Sequence, residues 1–293
     1  MLYICIASIL FSIQPAFTKQ YQKNAGEGLK SSFIYNATSP LLFIAIMFFY
    51  EGMKLDFTLY SFVMAMIWAV ICNAMSFFQI KALSSGNVAN YSLFLLGGGM
   101  IIPVVYGAIF GDDFGAFKIT GVILVCIAVL IKINPKEKGE KGSLFSLIAI
   151  FLLNGLAGVL SSVYQSELIK FDKISSEQFS ILRSFTTVGV GAVMLGVLSV
   201  TEKGEEDENA RLIRKGYLKA MPWSLTGGGI NGVANLLLLF ALQTVQPSLQ
   251  YPIITGGGIL LSAIVGLIFK EIPDKKTWIS VCFATAGTII MIF

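Results

Sequence analysis

Tyr91–Asp112 reads YSLFLLGGGMIIPVVYGAIFGD, and Tyr251–Glu271 reads YPIITGGGILLSAIVGLIFKE. Each is apolar, helix-length and carries a glycine triplet, Gly97–Gly99 in one and Gly256–Gly258 in the other. In a water-soluble helix each such glycine costs roughly 1 kcal/mol relative to alanine. The stretches also share a tyrosine start, a Gly-x-Ile-Phe ending and an acid at the close. Gly107, Ile109 and Phe110 answer Gly266, Ile268 and Phe269, and Asp112 answers Glu271. The match reads as a duplicated plan.

The surrounding composition says in which solvent such stretches fold. Of 293 residues, 55% are hydrophobic and 13% charged, with a mean hydropathy of +0.77. Soluble domains carry about 25% charged residues, so this chain cannot cover a water-facing surface. It reads as an all-α membrane protein. Cys5, Cys72, Cys126 and Cys282 lie inside apolar stretches without CxxC spacing, as buried thiols do. The chain has no histidine, so the commonest proton shuttle and metal ligand is missing. The start, MLYICIASILFSIQPAF, has neither a basic region before it nor an A-x-A site after it. It reads as a retained helix rather than a cleaved signal.

Runs of about 20 apolar residues, broken at charge, Gly and Pro clusters, give ten expected spans. They lie near 2–22, 30–50, 58–81, 87–111, 114–133, 143–166, 177–200, 217–242, 248–269 and 276–292. The polar stretch NPKEKGEKG at 134–142 divides them five and five. The organisation expected is a first repeat at 1–134, a polar linker at 135–141 and a second repeat at 142–293, within one membrane domain. Tyr21-Gln22 closes span 1 as Tyr164-Gln165 closes span 6, and Asn73 precedes its triplet as Asn235 precedes the other. Five spans per half turn the second copy over, giving two inverted five-helix repeats, a recurrent plan among secondary transporters. The second polar stretch, Thr201–Gly216, reads as a solvated loop.

This pattern resembles the drug/metabolite transporter superfamily, and within it the ten-helix EamA-type transporters. The likeness covers essentially the whole chain. It rests on a Pro- or Gly-bearing fourth span in each half, an acid near Asp112 and Glu271, and a short final span with Gly121 or Gly287. Arg183, in ILRSF early in span 7, fits as well. The resemblance implies a plasma-membrane carrier of small metabolites, with a cavity lined by spans 1, 3, 4, 6, 8 and 9. It also implies cytoplasmic termini. The lysines and arginines imply the reverse, because one face keeps only Lys54, Lys118, Lys170 and Lys173.

Within the spans, Gly99, Pro103, Gly107 and Gly111 recur every four residues, as do Gly258, Ser262 and Gly266. That spacing puts small residues on one face, where a neighbouring helix can approach closely. Three glycines in a row exceed what one groove needs. Bare backbone is tolerated at membrane depth where it lines a cavity, so Gly97, Gly98, Gly256 and Gly257 are expected at a substrate cavity. The amides Gln14, Asn36, Asn73, Asn154, Asn231 and Asn235 serve either as interhelical glue or as cavity lining. The spans implied by the resemblance favour Gln14, Asn73, Asn154, Asn231 and Asn235 over Asn36. Tyr91 and Tyr251 stack on a ligand or anchor at the interface. Lys19 and Arg183 either snorkel or supply a counter-charge.

No carboxylate occupies the middle of a span; Glu167 and Glu177 sit at edges. Small multidrug exporters related to this superfamily depend on an acid in their first helix, where this chain has Gln14 and Lys19. The expected function is therefore alternating-access transport of a small neutral or anionic metabolite. A proton-coupled multidrug or lipid-linked-sugar exporter is the alternative, and a non-transporting structural membrane protein the alternative from another class. No nucleophile–base pair or GxxxxGK[ST] stretch argues for an enzyme or a cofactor. The expected partners are a small-molecule substrate and membrane lipid, with a homodimer left open and no nucleic acid.

Overall fold

A computed structural model describes residues 2–52, 54–85, 88–110, 115–132, 141–166, 170–201, 208–245, 247–268, 270 and 273–292. Among them are eleven α-helices and no strand. The first half holds α1 (Leu2–Ala25), α2 (Leu29–Thr38), α3 (Leu41–Tyr50), α4 (Leu59–Ser85), α5 (Val88–Ile109) and α6 (Ala116–Lys132). The second holds α7 (Lys141–Gln165), α8 (Ser176–Thr201), α9 (Glu208–Leu242), α10 (Pro247–Ile268) and α11 (Lys275–Ile290). Eight segments are long and apolar enough to cross a membrane, with α2 and α3 together forming one of them. This is a multi-pass membrane protein. The helix α6, with 17 residues, and α11, with 16, fall short of that length.

Two boundaries differ from the sequence reading. Span 2 is interrupted, because Pro40 offers no N–H and its ring crowds the preceding turn. The chain closes α2 with the Ser39 N–H donating to the Tyr35 carbonyl at 2.7 Å, and reopens with Ile44 N–H to the Pro40 carbonyl at 2.9 Å. The expected loop at 201–216 is also shorter, since α9 already begins at Glu208. Asp112, Glu167, Glu271, Gly111, Phe269 and nearly all of the 135–141 linker lie outside the described residues.

Lipid cannot hydrogen-bond exposed backbone, which forces the helical state. Close approach between helices then decides how the bundle packs. The helix α1 packs on α9 and α10, and α7 packs on α4 and α5. Around these, α5 meets α10, α2 meets α8, α4 meets α8, α3 meets α9 and α6 meets α11.

The glycines sit at these crossings. A methyl group on Gly98 would overlap the Phe151 backbone of α7, and one on Gly257 would press on Ser8 of α1. Gly97 faces Val125 and Val129 of α6, and Gly256 faces Thr288 of α11. The four glycines expected at a cavity are therefore in helix–helix contacts, and the space beside each belongs to a neighbour. Polar side chains lock the same crossings. Ser8 and Ser12 of α1 donate to the Ile254 and Gly258 carbonyls of α10 at 3.2 and 3.3 Å. The Asn154 amide of α7 donates to the Leu95 carbonyl of α5 at 2.7 Å.

A third triplet, Gly227–Gly229 in α9, went unread in the sequence. It receives the interruption of span 2: a methyl on Gly228 would overlap the Ser39 carbonyl, and one on Gly227 would meet Phe17 of α1 at 2.9 Å.

Candidate functional site

A cavity of about 170 Å³ opens between the helices. Its wall draws residues from α1, α2, α3, α4, α5, α7, α8, α9 and α10, and none from α6 or α11. It is smaller than the roughly 300–1,000 Å³ of drug-sized sites. Around it Gln14, Asn36, Gln79, Asn154, Asn231 and Asn235 contribute amides. Trp68, Tyr35, Tyr91 and Tyr251 contribute rings.

The helix faces explain who arrives there. Trp68, Cys72, Met75, Ser76 and Gln79 follow i, i+4, i+7, i+8, i+11 along α4 and form one stripe facing the cavity. Span 2 reaches the wall because its interruption places Ser39 and Pro40 there. Tyr251 is fixed by its hydroxyl, which donates to the Gly158 carbonyl at 3.2 Å. Gln14 donates to the Thr18 hydroxyl at 2.9 Å and to the Tyr35 hydroxyl at 3.3 Å. Asn235 donates to the Asn231 carbonyl at 2.8 Å and to its side-chain oxygen at 3.1 Å.

Of the residues singled out from the sequence, Gln14, Tyr91, Asn154, Asn231, Asn235, Tyr251 and Arg183 lie on the wall. Gly97, Gly98, Gly256, Gly257, Asn73 and Lys19 do not; of the two sequence-read triplets only Gly99 does. The two amides of spans 2 and 3 have exchanged their expected places. Asn73 is 6% exposed, donates to the Ala69 carbonyl at 2.9 Å and the Thr187 carbonyl at 3.3 Å, and so ties α4 to α8. Asn36 faces the cavity in front of it, donating to the Asn73 oxygen at 3.1 Å and accepting from Ser76 at 2.7 Å. Trp68, Gln79, Tyr35 and Asn36 were missed or set aside, and the α4 stripe was the available signal for the first two.

Among the described residues of the wall, Arg183 is the charged one. It is 4% exposed, and its guanidinium carbon lies 4.5 Å from the Trp68 ring centroid. The main chain beneath it is pinned by Thr186 and Thr187, whose hydroxyls donate to the Arg183 carbonyl at 2.9 and 2.7 Å.

No protein-family model matches the chain, and no curated protein matches it significantly. Among solved structures 23 chains match. One of them, described only as "Crystal structure of protein", superposes with a TM-score of 0.62 at 13% identity. The alignment covers 98% of this chain and 94% of that one. This chain therefore shares a known helical fold from end to end, and the likeness carries the fold alone.

Proposed function

We propose that this protein is a secondary carrier of the drug/metabolite transporter superfamily. It moves a small polar metabolite through the cavity by alternating access. In this reading α6 and α11 also span, which makes ten spans, and 1–134 and 142–293 form two inverted repeats. The observation that carries it is the wall of the cavity, drawn from both halves at the centre of a paired arrangement. Exchanging each helix with its counterpart in the other half turns α1 on α9 into α7 on α4, and α1 on α10 into α7 on α5. The same exchange leaves α5 on α10, α2 on α8 and α6 on α11 unchanged. The matched tyrosines behave alike: Tyr21 donates to the Ser31 carbonyl at 2.7 Å, and Tyr164 to the Ile174 carbonyl at 3.0 Å, each ten residues ahead.

Two such halves around one site can rock against each other and open it to either side in turn. Glycines bring the backbones close at α5–α7 and α1–α10, and with the hydrogen bonds there hold each pair together as a unit that can move as one. The experiment is a thermal-stabilisation screen of purified protein over amino acids, organic acids, sugars, nucleotides and organic cations, followed by uptake of each hit into proteoliposomes. Uptake that saturates and exceeds empty vesicles is expected. Hits that bind without crossing would leave a binding protein in place of a carrier.

A further inference from the structure

We infer that the cavity binds an anionic group, a carboxylate or one of similar size and charge, in the plane of the Arg183 guanidinium. This narrows the carrier reading to substrates that bear such a group and takes from it only that the cavity holds a ligand.

The first observation is the unmet charge. Arg183 is 4% exposed, and its side chain makes no hydrogen bond or ion pair with any described residue. A guanidinium presents five N–H donors and stays charged in proteins. A guanidinium held away from bulk water is normally paired with an anion or hydrogen-bonded. No described acid on the cavity wall is available to neutralise it.

The second observation is the direction left open. The guanidinium carbon lies over the Trp68 ring, 4.5 Å from its centroid. A cation over an aromatic face is stabilised there, but its hydrogen bonds run in the plane, along the edge. Arg183 lines the cavity, where such an edge can meet a ligand. Carboxylates take two parallel N–H bonds from such an edge, a geometry lysine cannot reproduce.

The third observation is what else the cavity wall offers. Gln79 and Tyr91 also line the cavity, 4% and 1% exposed, and their side chains likewise make no hydrogen bond to described residues. An amide and a hydroxyl can donate to the polar remainder of a small molecule. A permanent organic cation would meet an uncompensated positive charge. Like charges repel strongly where the effective dielectric constant is low.

Cys72 makes this testable without knowing the substrate. It lines the same cavity, half-buried, while Cys5 and Cys282 are exposed on the outside of the bundle and Cys126 lies in α6. The full chain carrying Cys5→Ser, Cys126→Ser and Cys282→Ser would be treated with two methanethiosulfonates, one bearing a sulfonate and one a trimethylammonium. Each rate is divided by that for a small free thiol, so the ratio cancels intrinsic reactivity and the thiolate fraction of Cys72. The sulfonate should be favoured about tenfold or more. Arg183→Gln should bring the ratio near one, and Arg183→Lys should keep it above one. In parallel, acetate, propionate and benzoate should raise the melting temperature of the parent and not of Arg183→Gln, while their amides raise neither.

A ratio favouring the cation, or one unchanged by Arg183→Gln, overturns the inference. So does a Cys72 silent to both reagents together with no Arg183-dependent stabilisation by carboxylates. Neither measurement involves transport. An anion preference without uptake would sink the carrier reading alone, and uptake of an organic cation with the opposite labelling ratio would sink this inference alone.

Discussion

Gly121 and Gly287 meet backbone to backbone where α6 crosses α11: the Gly121 carbonyl lies 2.7 Å from where a side chain on Gly287 would begin. A methyl on Gly121 would in turn press on Met291 and the Gly287 carbonyl. The two helices touch through main chain because neither residue projects anything. Gly287→Val should push them apart at an overpacking cost of about 1–3 kcal/mol. The purified variant should melt below the parent, with little change in anion preference at Cys72, because neither helix lines the cavity.

Gly98 and Gly189 give opposite signs for one substitution. Both are helical, but a methyl on Gly98 would overlap the Phe151 backbone, whereas around Gly189 nothing lies within 4 Å. Alanine in place of a helical glycine gains about 1 kcal/mol where space is free. Gly189→Ala should therefore hold or raise the melting temperature. Gly98→Ala should lower it by the equivalent of about 1–3 kcal/mol. Equal shifts in both would mean that α5 and α7 do not touch at Gly98.

Asn73 and Asn231 separate glue from lining. Asn73 bonds two carbonyls and the Asn36 amide behind the wall, so Asn73→Leu leaves Asn36 without an acceptor. Unmet buried polar groups cost about 1–3 kcal/mol each. Thermal stability should fall by that order. Asn231 faces the cavity, and Asn231→Leu should leave the melting temperature within a degree or two while weakening stabilisation by whichever ligand the screen finds. Denaturation curves with and without that ligand distinguish the two.

Asp274 supplies the pH dependence. It caps α11, accepting from the Thr277 N–H at 3.0 Å and from the Thr277 hydroxyl, and it pairs with Lys132 at the end of α6 at 3.1 Å. Partial burial pushes its carboxyl up, but the Thr277 and Lys132 hydrogen bonds outweigh this and hold it below the usual range. A depressed pKa means that the unfolded chain takes up the proton first. The contribution is complete above the unfolded value of about 3.9 and lost as pH falls through the lower folded one. Asp274→Ala should cost about 1 kcal/mol at pH 7, as lost caps do; the half-exposed pair with Lys132 adds little. Melting temperatures of parent and variant should converge below pH 4.

Much of this bundle was written in its apolar runs, because lipid leaves a spanning backbone few choices but the helix. Counting runs of about 20 residues located every helix among the described residues, while Pro40 was visible but not weighed as a break. The cavity was half legible. Amides at depth announce that some polar contact is needed, yet whether Asn36 or Asn73 stands in front depends on the rotation of α2 against α4. That rotation is set by packing and not by the local sequence. The glycine triplets were read as cavity lining because bare backbone satisfies either role. Only the neighbours, Phe151 for Gly98 and Ser8 for Gly257, decide between them.

The brevity of α6 and α11 reaches beyond the protein. At 1.5 Å per residue, 17 and 16 residues extend about 25 Å, against a hydrocarbon thickness of about 30 Å. Paired side by side and joined at one end by Lys132 and Asp274, their described residues form a flank shorter than that thickness. Where the ten-span reading has both helices cross the membrane, such a flank is met by bilayer thinning or by flanking side chains reaching to the interface, at fractions of a kcal/mol per ångström of mismatch. In that reading the two short helices make acyl-chain length a variable of this protein's energetics.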